Sequence, residues 1–144
     1  IRRQRQMCIR DRGRDDFSRI PGGAPGIETR LTLLHTFGVR TGRLTVERWV
    51  EVCCTEPARR FGLTPRKGVL AIGADADVVV FDPERQVTLS AEALHQNVDY
   101  CPYEGWVVQG YPATVLSRGE AIVRDGQFVG ARGRGRFLHT VSAQ

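Results

Sequence analysis

The 144-residue chain reads as α/β plus β: helical pieces first, then a meander of short antiparallel strands. Three observations predict this. Apolar residues recur at helical spacing as far as Gly62. An unbroken β-branched and aromatic run, Val78-Val79-Val80-Phe81, then changes the period. Beyond it, Arg118-Gly119 and Asp125-Gly126 stand between strand-like runs as two-residue hairpin turns.

Taken in order, residues 1–12 (IRRQRQMCIRDR) are a basic leader without apolar periodicity, expected to be disordered. Its QMCIRDR string resembles translated sequencing-adapter DNA, so an artefactual origin is the sharper reading, tested by sequencing the native locus. From Gly13 to Gly26 the chain is a Gly/Pro-rich loop, of the kind that brings backbone close to a ligand. Ile27 to Leu31 opens a helix with Leu31 and Leu34 on one face, and Gly38 is expected to stop it. Thr45 is the N-cap of a second helix whose buried stripe is Val46, Trp49, Val50 and Cys53. Thr55-Glu56-Pro57 starts a short third helix, with Ala58 and Phe61 inward and Gly62 ending it.

The stretch Lys67–Asp82, KGVLAIGADADVVVFD, organises the second half. Gly73 to Asp77 reads as a turn whose short carboxylates accept backbone bonds, and Asp82-Pro83 is expected to close the strand after it. The strands predicted are 78–81, 87–89, 106–108, 113–117, 120–124 and 127–129. Ser90–Gly105 is a loop carrying a polar cluster, Asn97, Asp99, Tyr100 and Glu104, read as bonded between domains, with a contact between subunits as the second reading. Residues 130–144 form a Gly/Arg-rich tail extended over the surface.

Composition excludes several classes. The formal charge is +5, but residues 1–14 hold six arginines against Asp11, leaving fifteen basic and fifteen acidic side chains in the remainder. The body is neutral, which argues against nucleic-acid binding. No apolar run is long enough to span a membrane, and no signal-peptide pattern is present. The four cysteines, Cys8, Cys53, Cys54 and Cys101, show no metal-ligand spacing. Cys53 and Cys54 are expected to pack as small apolar groups, consistent with a reducing, cytoplasmic setting.

Five phrases stand in register through residues 13–138: DDFSRIPGGAPGIETRL, GRLTVERWVEVCCTEPARRFGL, PRKGVLAIGADADVVVFDPE, HQNVDYCPYEGW and LSRGEAIVRDGQFVGARGRGRFL. Together they resemble the C-terminal part of dihydropyrimidinase/D-hydantoinase, a cyclic amidohydrolase. The resemblance implies the C-terminal end of a TIM-type barrel (the helical segments), followed by part of a small β-sandwich domain. On it, residues 13–65 are the last loop and helices of the barrel, and residues 66–144 the sandwich portion and tail, so the chain reads as a fragment. The activity implied is hydrolysis of the cyclic amide of dihydropyrimidines or hydantoins to N-carbamoyl amino acids. Two zinc ions, bridged by a carboxylated lysine and a hydroxide, serve that chemistry in the full-length family. A small cyclic amide is the implied substrate, and a homo-oligomer, homotetrameric in the family, the implied assembly.

The family's metal residues lie upstream of the IP-x-G loop, where this chain has its leader. Neither the histidines, His35, His95 and His139, nor Lys67 matches a ligand position, so no zinc is expected on this chain and no catalytic residue is assigned. One family site is covered: at x of IP-x-G, where the family often has Asn, stands Gly22, and the resemblance implies a substrate contact through its backbone. Asp75 and Asp77 are expected to serve the turn rather than catalysis. Two other classes compete: a non-catalytic amidohydrolase-fold protein acting through oligomerisation and partner binding, and a free-standing β-rich interaction module.

Overall fold

The computed structural model describes Asp16, Ser18 and residues 23–140. The basic leader, Cys8 and, apart from Asp16 and Ser18, the Gly/Pro-rich loop as far as Gly22 lie outside the described residues. Two helical rods precede a four-stranded antiparallel sheet of order β1-β2-β3-β4.

Helix α1 runs as an α-helical turn, Arg30–Leu34, into a π-helical segment, His35–Val39. Gly38 does not stop it. That glycine lies inside the wide turn, buried under Leu44, whose Cδ1 would stand 2.8 Å from any Cβ placed there. The buried face is also not the one the leucines marked. Thr29, Thr32 and His35 are buried, whereas Leu31 and Leu34 are half-exposed. The reason is what α1 packs against, the backbone of a sheet irregularity that needs hydrogen-bond partners.

Helix α2 comprises Val46–Val50, a π-helical Glu51–Thr55 and Glu56–Arg60. Thr45 caps it as expected, its side chain accepting from the Arg48 N–H at 3.2 Å. The predicted break before Pro57 is a widened turn. Pro57 has no N–H for the Cys53 carbonyl, and a π turn just before it makes room for the ring. This insertion re-aims the stripe. The buried positions are Trp49, Cys53 and Ala58, the last interval five residues long. Val46, Val50 and Phe61 are exposed, correcting the expectation of a straight 3.6-residue stripe. Phe61 is 68% exposed. Gly62, with φ +63°, ends the helix: its N–H reaches the Arg59 carbonyl and that of Leu63 the Ala58 carbonyl at 2.8 Å, a Schellman closure.

The six predicted strands become four. Strand β1 is Val78–Thr88, β2 Val107–Ser117, β3 Glu120–Arg124 and β4 Gln127–Phe128. Asp82-Pro83 does not close β1. Asp82 pairs with Tyr111 and Gln86 with Gln109, so Pro83, Glu84 and Arg85 bulge against Gly110 alone. The Asp82 carboxylate holds the bulge by accepting from the N–H groups of Glu84 (2.9 Å) and Arg85 (3.2 Å). Pro112 stands at the other irregularity of the pair, so both prolines sit where a ladder bond is already missing. The two hairpin turns form as predicted: Arg118 and Gly119, then Asp125 and Gly126, all have positive φ.

The core lies where the rods meet the sheet. Leu89, Leu94, Cys101 and Val108 are buried, with Leu33, Val87 and Tyr111 packed around them. Beside it His35, Trp49 and Phe81 form an aromatic triangle with centroids 4.9–5.4 Å apart. The triangle joins α1, α2 and β1. Between α1 and β2, Thr32 donates its hydroxyl proton to the Gly110 carbonyl, Thr36 Oγ1 donates to the Gln109 carbonyl at 2.9 Å, and His35 Nδ1 lies 2.8 Å from that same oxygen. Gly110, at φ +97°, lets the bulge come this close. Residues 130–140 carry no strand, and Arg134 ties them down by donating to the Ser117 carbonyl at 2.5 Å.

Candidate functional site

From Gly23 the Gly/Pro-rich segment is described continuously and reaches α1 through Glu28 and the fully buried Thr29. Ile27 between them is 94% exposed, so little apolar contact holds this stretch. Hydrogen bonds hold it instead. Tyr100 donates its hydroxyl proton to the Gly23 carbonyl at 2.6 Å. Glu28 receives His95 twice: one carboxylate oxygen accepts from the His95 backbone N–H at 2.8 Å, and the other lies 2.7 Å from Nδ1. Opposite a carboxylate, Nδ1 is the nitrogen that carries the proton. The loop 90–105 therefore does bond to the helical half, as its polar cluster suggested, through Tyr100. Glu104 serves the loop itself, accepting from the Ala91 N–H at 2.9 Å. The part played by His95 and Glu28 was not legible in the sequence. They stand 67 positions apart, and neither belongs to a local pattern.

Lys67, Asp75 and Asp77 come together at the turn before β1. Lys67 Nζ lies 2.8 Å from Asp75 and also bonds Asp77. Arg66 adds a 3.0 Å bond to Asp75, and the Arg118 N–H donates to Asp77 at 2.8 Å. The Lys67 ammonium holds the Asp75 carboxyl below its ordinary value, with burial opposing. Burial pushes Asp77 up, but Lys67 and the Arg118 N–H outweigh it and the net shift is downward. For Lys67 burial again opposes, and the two carboxylates raise it. Asp77 thus ties the turn to the β2–β3 hairpin and Asp75 ties it to Arg66 and Lys67, so both serve the turn as expected.

The three histidines are apart from one another in role. His35 is sealed in the aromatic triangle, His95 is held by Glu28, and His139 meets Phe137 edge to face with centroids 5.0 Å apart. Among the described residues no group of three or more His, Cys, Asp or Glu side chains is placed to hold a metal ion. The described residues do not fit a binuclear zinc centre, and no step through one is assigned to them. Cys53 is buried and Cys54 exposed, and burial pushes both thiols up, with Arg30 opposing. Both line an apolar cleft of about 660 Å³ between α2 and the sheet, walled also by Trp49, Leu70, Val79 and Val115.

Helical rods laid on a small, bulged antiparallel sheet, with a Gly/Pro-rich loop fastened at their junction, define the class. The sequence profile of the Amidohydrolase family matches residues 15–122. The chain belongs to the amidohydrolase family. It is 49% identical over 132 residues to a D-hydantoinase of Streptomyces coelicolor, covering 92% of this chain and 28% of that protein. It is 54% identical over 123 residues to a D-phenylhydantoinase of Escherichia coli K12, covering 85% of this chain and 27% of that protein. The crystal structure of dihydropyrimidinase from Brevibacillus agri superimposes with a TM-score of 0.83 at 48% identity, covering 90% of this chain and 28% of the other. The chain thus spans somewhat over a quarter of the length of these relatives. Its fold is that of the C-terminal end of an amidohydrolase barrel, the helical segments, followed by part of the small β-sandwich domain. Among the described residues no helix is long and apolar enough to cross a membrane.

Proposed function

We propose that this chain is part of a hydrolase of cyclic amides, opening hydantoin or dihydropyrimidine rings to N-carbamoyl amino acids. Water adds to the ring carbonyl, the C–N bond breaks, the carbonyl carbon becomes a carboxylate, and the nitrogen leaves as part of a ureido group. The single observation that carries this reading is the 49–54% identity, over most of the chain, to proteins named hydantoinases.

Within this reading, residues 13–65 contribute the last loop and helices of the barrel, and residues 66–144 part of the sandwich and the tail. Gly22 offers the substrate its backbone groups, glycine's lack of a side chain giving that backbone more freedom. The two zinc ions of the chemistry are held by residues outside this chain, and the working assembly is a homo-oligomer. The relatives named above all carry enzyme names, and nothing favours the non-catalytic alternative.

The test is to sequence the source DNA upstream of codon 13 and assay the product of any longer frame. An H-x-H pair, a lysine, two histidines and an aspartate upstream, with N-carbamoyl product formed from hydantoin or dihydrouracil, is the expected result. A frame that opens at the arginine-rich leader, with no hydrolysis of either ring, overturns the proposal.

A further inference from the structure

We infer that residues 95–100 are a latch on the Gly23–Glu28 segment, with Tyr100, His95 and Glu28 as positioning residues for the loop that meets the substrate. The inference deepens the proposed function and, as far as the substrate is concerned, rests on it.

The two sides of the contact are unequal. Leu94 and Cys101, immediately before and near the end of the latch, are both core residues, 7% and 4% exposed. The loop is closed at its base by the Gly105 N–H on the Leu89 carbonyl at 2.8 Å and by Glu104 on the Ala91 N–H. Leu94 and Cys101 thus seat both ends of the latch in the core, while His95 and residues 97–99 between them are exposed. The segment it holds has no such seat. Residues 23–26 belong to no helix or strand, Ile27 projects into solvent, and the bond from Thr29 Oγ1 to the Gly26 carbonyl is long at 3.4 Å. Glu28 is the segment's one hydrogen-bonding side chain, and ordering the glycine-containing stretch before it costs backbone entropy that bonds to the rest of the chain must offset.

Three bonds do so, from residues 67 and 77 positions away. The hydroxyl of Tyr100 sets the Gly23–Ala24 peptide plane by bonding its carbonyl. The double engagement of Glu28 by His95 fixes the other end of the segment, just before α1. A loop that recognises a cyclic amide through main-chain groups depends on the orientation of its peptide planes, since these aim the donors and acceptors. The latch supplies that orientation from the β-rich half of the chain.

The test uses the 144-residue chain, labelled with nitrogen-15, as wild type and as Tyr100→Phe, Glu28→Ala and Glu28→Gln. Three quantities are read: amide exchange at Ala24, Gly26 and Glu28, the thermal midpoint, and the Gly23 amide shift on titration with hydantoin. Tyr100→Phe is expected to leave the midpoint unchanged, to speed exchange at Ala24 and Gly26 about fivefold to tenfold, and to raise the hydantoin concentration for half-maximal shift. Glu28→Gln, which still accepts the His95 backbone N–H, is expected to recover part of what Glu28→Ala loses. Unchanged exchange in Tyr100→Phe overturns the latch. Faster exchange with an unaltered hydantoin titration overturns the positioning role. Faster exchange with no hydantoin response even in the wild type leaves the latch standing and removes the substrate reading of this loop.

Discussion

Replacing Gly110 by alanine tests the junction on which the whole arrangement rests. The residue has φ +97°, and a Cβ built on it would lie 2.2 Å from His35 Nδ1 and 2.8 Å from Phe81 Cε1. Three costs follow. An L side chain at this backbone angle costs about 1–2 kcal/mol. Displacing His35 loses its bond to the Gln109 carbonyl, about 1 kcal/mol. Forcing His35 and Phe81 apart disturbs the aromatic triangle, about 1–3 kcal/mol by comparison with other overpacked cores. The sum is on the order of 4 kcal/mol. Gly133 is the control, because its φ is +75° and nothing lies within 4 Å of the built Cβ. Alanine there carries only the backbone cost, about 1 kcal/mol. The assay is urea unfolding followed by tryptophan fluorescence, since Trp49 stands 5.4 Å from the His35 ring. At a slope of about 2 kcal/mol/M, Gly110→Ala should lower the midpoint by about 2 M and Gly133→Ala by about 0.5 M. Equal shifts for the two variants would refute the reasoning, because the close approach at the bulge would then carry no energy.

Further predictions address the turn, the bulge and the thiols. Asp75 and Asp77 have lowered values, so their contribution is present above the ordinary carboxylate range and is lost as pH falls through their folded values. Lys67, raised, contributes below its ordinary value and loses this as pH rises through the higher folded one. Lys67→Met should therefore flatten the decline of the urea midpoint below about pH 4, and acid curves parallel to wild type would contradict the network. Asp82→Ala removes the acceptor of two bulge N–H groups and should cost about 1 kcal/mol; an unchanged urea midpoint would show that the bulge holds itself. With Cys8 replaced by serine, an aromatic disulfide reagent should modify Cys54 first, with Cys53 and Cys101 protected until unfolding. Since burial raises the Cys54 thiol, its rate should keep climbing beyond the pH at which a free thiol levels off. Simultaneous labelling of all three would contradict the burial assigned to them.

Much of this protein is written locally. Thr45 as a cap, the two glycine hairpins, the β-branched run from Val78 and the helix stop at Gly62 each depend on dihedral preference or on a bond a few residues away. All four were legible for that reason. The family was legible too, through five phrases kept in order. The tertiary structure decided what depends on partners distant in sequence. Asp82-Pro83 ends a strand by propensity, yet β2 pairs on both sides of it and turns the break into a bulge. Leu31 and Leu34 mark an apolar face, yet α1 buries Thr29, Thr32 and His35 because the bulge at Gln109 and Gly110 presents carbonyls that need donors. A π turn before Pro57 shifts the buried stripe to Ala58 and leaves Val46 and Val50 outside. The loop held by Tyr100 and His95 belongs to the same class. Hydrogen bonds spanning 67 or 77 residues leave no period or spacing to read, because the chain must fold before their two ends have a common surroundings.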